Sequence, residues 1–319
     1  MQVERFHERH LDGAATLLAE SLGMQAHDTG LRYMLSDVAS ALSVMADAVQ
    51  SGPGVVALDD GVVVGFMIAP LPTVPGSGAS RMKVVHHAAW PSVARDAYRR
   101  MYEQIAGALV AGGCFDHSLL VPSDHQTVLQ TLFELQFGID QIKGTRTLAG
   151  MVDTKPDDTI RTAHLDDVER LVELCIELAQ FHSRSPMLAP ALLDVPKIPA
   201  VLAQQICAED NIVLVACDGD AIVGMIQAQP DGLFADTTTI GMNVVTEHAR
   251  SAGVGTTMLN ALCASAATSG AERCAVGWDS ANPLSDAFYR ARGFTPGRYE
   301  LRRIIDPRVA WANDNLDYR

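Results

Sequence analysis

Residues 240–262 read IGMNVVTEHARSAGVGTTMLNAL, and this stretch decides the fold. The apolar run that ends at Val245 predicts a β-strand, and apolar residues every three to four positions after Gly255 predict a helix. The polar turn between them contains Gly253 and Gly255. Because glycines leave the backbone free of side chains, the amide groups at the helix start can converge on an anion. The stretch therefore predicts a strand, a diphosphate-binding loop and a helix.

Two glycines at this spacing also shape ordinary strand-to-helix connections, and for the pair alone that interpretation stays open. The loop lacks the G-x-G-x-x-G spacing of dinucleotide-binding folds and the G-K-[ST] of a P-loop. Neither nicotinamide nor nucleoside triphosphate chemistry is therefore indicated.

An internal repeat sets the domain count. Residues 55–69, VVALDDGVVVGFMIA, align without gaps on residues 214–228, LVACDGDAIVGMIQA. Each segment predicts a β-hairpin, with an Asp/Gly turn and a glycine, Gly65 or Gly224, inside the second strand. A glycine within a strand often marks a bulge or a close backbone approach.

The pattern around the two hairpins is also similar, with helical patterns before each and strand, long helix, strand, helix after it. The predicted helices lie near residues 11–22, 38–50, 91–111, 124–136, 166–180, 198–208, 253–268 and 283–291, and strands near 114–121 and 273–278. The polar segment 150–158 predicts a linker. We expect one domain at 1–149 and a second at 159–319.

Composition limits the classes of partner. The net charge of −14 over 319 residues argues against nucleic acid, because binding its phosphate backbone needs a basic surface. The first dozen residues are too charged for a signal peptide, and the uncharged stretch 251–271 has its large apolar residues on one helical face. The six cysteines form no C-x-x-C pair and are interpreted as reduced core residues. We expect a globular cytoplasmic protein with no membrane partner.

Two motifs at this separation resemble the GNAT superfamily, the Gcn5-related N-acetyltransferases. The family signature [RQ]-x-x-G-x-[GA] matches Arg250, Gly253 and Gly255. About thirty residues later, Asn282 and the next proline open a helix that ends in the residues 287–294, AFYRARGF. The resemblance covers residues 159–305 and, more faintly, 1–148. It implies an α/β (α+β) protein of two tandem GNAT-like domains, each a mixed, mostly antiparallel sheet flanked by helices.

The resemblance also implies that acetyl-CoA is the cosubstrate, bound between two splayed strands near 240–245 and 273–279, with no metal. The backbone near the end of the first strand would hold the pantetheine arm and the acyl carbonyl, and the following loop would wrap the diphosphate. The cofactor-binding residues so implied are Val244, Val245, Arg250, Ser251, Ala252, Gly253, Val254, Gly255, Thr256 and Asn282.

Tyr289 stands where the family has the tyrosine that protonates the leaving thiolate, and a phenol stays neutral at physiological pH. It is the predicted general acid; packing of the last helix on the sheet is the alternative. Asn282 matches residues that touch the cofactor arm, and capping of its helix explains it as well.

The general base is less defined by the sequence. Glu247 follows the central strand directly, and carboxylates near such strands act through a water in some family members. Asp236 and Asp279 are rivals, and a solvated turn residue is the alternative for Glu247. His182 lies in the region between the first two helices that shapes the acceptor pocket in this family.

The first copy departs from the motif. Alignment through the glycine before the following strand puts Val93, Asp96 and Tyr98 opposite Arg250, Gly253 and Gly255. Alignment of the last helix puts Thr127 opposite Asn282 and Glu134 opposite Tyr289. The adjacent His86 and His87 point to opposite faces of a strand and cannot act as one pair. The first copy is therefore interpreted as degenerate.

The sequence thus predicts an acyl-CoA-dependent N-acyltransferase that moves acetyl to a primary amine by direct attack. The acceptor is a small-molecule or peptide amine, and the protein is a monomer or homodimer. The alternative from another class is a non-catalytic acyl-CoA-binding or scaffold protein, which would keep the glycine loop without needing Tyr289.

Overall fold

The computed structural model describes residues 1–29, 32–35, 37–72, 78–151, 158–189 and 193–315, without the side chains of 25–29 and 313–315. The helices are α1 Leu11–Thr29, α2 Val38–Gln50, α3 Ala94–Ala111, α4 Gln126–Glu134, α5 Val168–His182, α6 Ile198–Cys207, α7 Val254–Thr268, α8 Pro283–Arg290 and α9 Arg308–Asn315. The strands are β1 Gln2–Arg5, β2 Gly54–Asp59, β3 Val62–Ile68, β4 Ala79–Met82, β5 His87–Ala89, β6 Asp116–Pro122, β7 Gly138–Thr147, β8 Ile160–Thr162, β9 Ile212–Asp218, β10 Ala221–Pro230, β11 Thr237–Val245, β12 Arg273–Asp279 and β13 Thr295–Ile304.

The chain divides into two compact units. Unit 1 comprises Met1–Ile142 and Pro296–Arg319, and unit 2 comprises Lys143–Thr295. Both divisions fall inside a strand, so unit 1 receives most of β13 and unit 2 receives the last residues of β7. The domain limits expected from the sequence stay a prediction, and most of the linker predicted at 150–158 lies outside the described residues.

Unit 1 has its strands in two groups. The order β1-β2-β3-β5 is antiparallel throughout, and β6 pairs in parallel with β4 and antiparallel with β13. The buried face of α3, which includes Met101, Tyr102, Ile105 and Leu109, forms the centre of the core because its apolar residues recur at helical spacing.

Unit 2 has the order β12-β11-β10-β9-β8, with the end of β7 beside β12. Only β11 and β12 are parallel; the other pairs from β8 to β11 are antiparallel. Buried apolar side chains of α5 (Leu171, Leu174) and α7 (Met258, Leu259, Leu262) complete the core. The predicted mixed, mostly antiparallel sheet is confirmed.

The eight predicted helices are confirmed to within a few residues. The two hairpins repeat each other in detail, because the register shifts one residue before Gly65 in β3 and one residue before Gly224 in β10. A Cβ on Gly224 would lie 2.9 Å from Met258, so this glycine allows close packing of helix on sheet.

The cysteines are all unbridged. Cys114, Cys175, Cys263 and Cys274 are buried, as expected of core residues. Cys207 is exposed, and the core interpretation is wrong for it.

Candidate active site

The two parallel strands of unit 2 separate part-way along their length. The ladder joins Thr237–Ile240 to Arg273–Val276, while β11 continues to Val245 and β12 to Asp279. Residues 241–245 of β11 therefore leave the backbone groups on one side available, since the opposite side pairs with β10. We call the space between 241–245 and 277–279 the strand opening; it includes the predicted residues Val244, which is buried, and Val245.

A glycine loop leads from the strand opening into α7. Ser251 (φ 65°) and Gly253 (φ 89°) both adopt positive φ, a combination that turns successive amides toward one side. The first bonds within the helix run from Thr256 and Thr257 to the Gly253 carbonyl. By helix geometry the amides of residues 254 and 255 then point out of the helix end, where they suit an anion.

Arg250 does not direct its guanidinium at these amides. Its Nε donates to the Val245 carbonyl at 3.0 Å, and the guanidinium carbon lies 4.8 Å from the Phe181 ring centre. The carboxylate of Glu177 on α5 is 3.9 Å from the guanidinium and accepts the amide of Glu247 at 3.0 Å. Arg250 therefore fixes the loop to β11 and α5.

A different arginine lies at the start of α7. Arg292 donates through Nε to the hydroxyl of Thr256 at 3.1 Å, with a second bond to it from Nη2, and donates to the Phe288 carbonyl at 2.9 Å. Its guanidinium lies over the Phe288 ring at 3.8 Å. Sequence reasoning missed this cation, because 36 residues separate it from the threonine it contacts.

Tyr289 spans the strand opening. Its hydroxyl accepts a hydrogen bond from Nδ2 of Asn243 on β11 at 3.2 Å, and its ring stacks on Trp278 of β12 at 5.4 Å. Both contacts lie beyond the end of the parallel ladder, so the phenol sits where the two strands part. Phe288 and Phe294 meet its ring edge to face at 5.1 and 5.4 Å.

This surrounding keeps the phenol neutral. Burial, opposed in part by the Asn243 hydrogen bond and aided by the nearby Cys274 thiol, raises the pKa of Tyr289 to about 12. A buried phenol with a raised pKa holds its proton at physiological pH and can deliver it to a stronger base formed beside it.

Asn282 is the N-cap of α8. Its side-chain oxygen accepts the amide of Ser285 at 3.1 Å, and the residue is almost fully buried. The capping interpretation is confirmed, and contact with a cofactor arm stays a prediction.

The candidate bases lie in different places. Glu247 is exposed, with its carboxylate 3.6 Å from the guanidinium of Arg184. Asp279 ends β12 at the strand opening, but its carboxylate accepts the amide of Ala281 at 2.9 Å. Asp236 precedes β11 at the closed end of the ladder, where its carbonyl accepts two amides of the β12 side, so it is remote from Tyr289.

The region between α5 and α6 contains an open groove of about 570 Å³. Its walls include Ile176, Ala179, Leu193 and Val195, and its carboxylate, Asp194, pairs with Lys197. His182, at the end of α5, lies on the same helix as two of the lining residues.

In unit 1 the space equivalent to the strand opening is filled by side chains. Tyr98 stands 18 residues before β6, and Gly255 stands 18 residues before β12, so the two are equivalent. His87 pairs across the sheet with Met67, as Asn243 pairs with the equivalent Ile226. The Tyr98 hydroxyl lies 2.7 Å from Nδ1 of His87, and both residues are buried.

The last helix of unit 1 corrects the sequence alignment by two residues. The Phe137 amide bonds to the Leu132 carbonyl as the Phe294 amide bonds to the Tyr289 carbonyl. Leu132, not Glu134, therefore stands at the position of the tyrosine. The reason is that the glycine after the helix is not equivalent in the two units.

The start of the same helix gives the same offset. His125 is the N-cap of α4, as Asn282 is of α8, so His125 and not Thr127 is its equivalent. The conclusion that unit 1 lacks the acid is unchanged, because leucine carries no proton to donate.

The glycine loop allows a direct test. A Cβ on Gly255 would lie 3.4 Å from Phe288 and 3.6 Å from Val245, so alanine fits and valine does not. Gly255→Val should push the start of α7 away from β11 and weaken CoA binding several-fold or more, measured by calorimetry. Gly255→Ala is the matched control, and equal affinity of the two variants and the wild type would place the cofactor elsewhere.

Within the described residues, no cluster of three or more His, Cys, Asp or Glu side chains could hold a metal ion. Among the described helices, none combines the length and apolar character needed to cross a membrane.

Comparison with known proteins agrees with this geometry. Residues 177–294 match the model of the Acetyltransferase (GNAT) family. No curated protein matches the sequence. The fold is similar to that of a GCN5-related N-acetyltransferase from Sphaerobacter thermophilus, which is 15% identical, with a TM-score of 0.60 and coverage of 95% of this chain and 94% of that one.

Two further solved structures are similar over nearly the whole chain. A tandem GNAT protein from the clavulanic acid biosynthesis pathway is 13% identical, with a TM-score of 0.58 and coverage of 94% of this chain and 97% of that one. An acetyltransferase of the GNAT family from Colwellia psychrerythraea is 10% identical, with a TM-score of 0.54 and coverage of 96% and 100%. The predicted fold of two tandem GNAT-like domains is confirmed.

Proposed function

Because residues 177–294 form a domain of the acetyltransferase (GNAT) family, we propose that unit 2 transfers an acyl group, acetyl in the first instance, from CoA to a primary amine. One observation carries the proposal: Tyr289 touches both strands at the point where they part, beside a helix start with free amides. A thioester laid along the strand opening would have its diphosphate at the amides of residues 254 and 255 and its sulfur near a neutral phenol.

The chemistry needs few groups. The amine nitrogen attacks the thioester carbonyl, the C–N bond forms, and the electron pair of the C–S bond passes to sulfur. Tyr289 gives its proton to that sulfur, and the ammonium proton passes to water or to a carboxylate such as Glu247. The main contribution of the site is to hold the two reactants at bonding distance, which converts a bimolecular reaction into a local one.

The test is a screen of amines with acetyl-CoA that follows CoA release. Small amines, amino acids, aminoglycosides and peptide N-termini form the panel, with longer acyl-CoA donors as a second series. Release that depends on the amine and is lost in Tyr289→Phe supports the proposal. Tight CoA binding without turnover on any amine would favour the non-catalytic acyl-CoA-binding alternative.

A further expectation concerns stoichiometry. The His87–Tyr98 pair fills the equivalent space in unit 1, and α3 begins at Ala94, one turn earlier than α7 does at the equivalent count. We expect one CoA per chain by calorimetry. Gly255→Val, which alters only unit 2, should remove that single site. Two sites in the wild type would show that unit 1 binds cofactor by another route.

A further inference from the structure

Asn243 is a polar residue in an otherwise apolar strand end. It lies on β11 three residues beyond the last rung of the ladder with β12, and it is half-buried. Its Nδ2 donates to the Tyr289 oxygen at 3.2 Å. An amide nitrogen can only donate, so the phenol oxygen accepts in this bond.

That direction decides what the phenol can do. A tyrosine hydroxyl has one proton, and a partner that donates leaves this proton unused. A partner that accepts would hold the proton away from any substrate. The Asn243 bond also strengthens when the phenol loses its proton, because hydrogen bonds to a charged oxygen are about twice as strong as neutral ones.

The other neighbours of the phenol do not compete for its proton. Trp278, Phe288 and Phe294 surround the ring, and the titratable group that faces it from β12 is the Cys274 thiol. On α8 itself, Asp286 and Arg290 pair with each other at 2.7 Å.

Unit 1 contains a similar pair. His87 occupies the same place in its sheet as Asn243, and its Nδ1 lies against a buried tyrosine hydroxyl. Burial lowers the pKa of His87 to about 3, so this ring is neutral. The strand position thus holds a tyrosine hydroxyl in both units, although the tyrosine comes from α3 in one and from α8 in the other.

We propose that Asn243 is a positioning residue for the acyl transfer: it donates to the Tyr289 oxygen, turns the phenol proton toward the sulfur and stabilises the phenolate left behind. The inference rests on the proposed function for its catalytic part. The hydrogen bond itself can be measured without turnover.

The kinetic test is a double-mutant cycle. Asn243→Leu, similar in size and unable to donate, should lower kcat about ten- to a hundredfold with KM for acetyl-CoA changed by less than about threefold. Asn243→Asp, which accepts the phenol proton, should be slower still. Asn243→His, which copies the residue at this strand position in unit 1, should recover part of the rate. In a Tyr289→Phe background, Asn243→Leu should have no further effect.

The second measurement is a titration. Fluorinated tyrosine placed at position 289 has a lower intrinsic pKa, and its ionisation can be followed by ¹⁹F NMR. Asn243→Leu should raise its pKa by about one unit, because the charge-assisted bond is lost. The same fluorinated residue at position 98 is the control and should not respond.

The outcomes separate the two ideas. An unchanged titration at position 289, or an equal loss of kcat with and without the Tyr289 hydroxyl, would overturn the role of Asn243. A raised pKa in a protein that acylates no amine would uphold the hydrogen bond and reject the proposed function.

Discussion

Replacing Tyr289 with phenylalanine is expected to lower kcat about ten- to a thousandfold and to leave CoA binding nearly intact, because only the proton donor is removed. The ring contacts with Trp278, Phe288 and Phe294 remain. Steady-state kinetics with the best amine of the panel, together with CoA calorimetry, measure both quantities. Because the pKa of Tyr289 is raised to about 12, the hydroxyl should cause no basic limb in the wild-type profile below about pH 11.

The chain offers a matched control in Tyr98→Phe. This change also removes a buried hydroxyl that is hydrogen-bonded to a residue at the same strand position. It should reduce stability slightly and leave kcat unchanged. A wild-type rate in Tyr289→Phe would make Tyr289 a packing residue, and another group would have to protonate the thiolate.

The second large effect is expected at Gly144, a residue of β7 far from the motifs in sequence. A Cβ there would lie 2.6 Å from the Trp278 ring, and that ring is stacked on Tyr289. Gly144→Ala should therefore lower the free energy of unfolding by about 1–3 kcal/mol through overpacking. It should also lower kcat up to about a hundredfold, because displacement of Trp278 moves the phenol.

Gly138→Ala, on the same strand, separates this effect from the general effect of alanine. No atom lies within 4 Å of the Cβ position there, so stability and kcat should be unchanged. Thermal unfolding and kinetics of the two variants measure the difference. Equal stability of Gly144→Ala and Gly138→Ala would mean that Trp278 can move at no cost and that the stack does not fix Tyr289.

Local patterns predicted the local structure. The strand, loop and helix around Gly253 were readable because each depends on nearby residues only, and so was the repeated hairpin, with its glycine beside a bulge. The packing of Tyr289 at the strand opening agrees with its motif position. Its role as acid stays a prediction.

Contacts between distant residues were not readable. The direction of Arg250 depends on Phe181 and Glu177, about seventy residues away, and a lone arginine in a loop carries no sign of it. Asn243 left a faint signal, a single amide in an apolar strand, but its partner lies 46 residues along the chain.

The misalignment of the last helix has a definite physical cause. The residue after the helix needs positive φ, and unit 2 uses Gly293 (φ 80°) while unit 1 uses Gln136 (φ 67°). A match of glycine to glycine therefore selected Gly138, two residues too late. Conformation, not residue type, is what the two units share at this position.

The division of the chain inside β7 and β13 affects how the protein is made. Strand β6, complete once Pro122 is synthesised, pairs on one side with β13, whose last residue is Ile304. Roughly 180 residues must follow before that partner exists, which takes about 10–40 s at ordinary translation rates. Until then the apolar strand has an unpaired edge, the kind of surface that recruits other chains. The half of the protein that leaves the ribosome first is thus the last to be finished, and its yield should depend on chaperones that cover nascent chains.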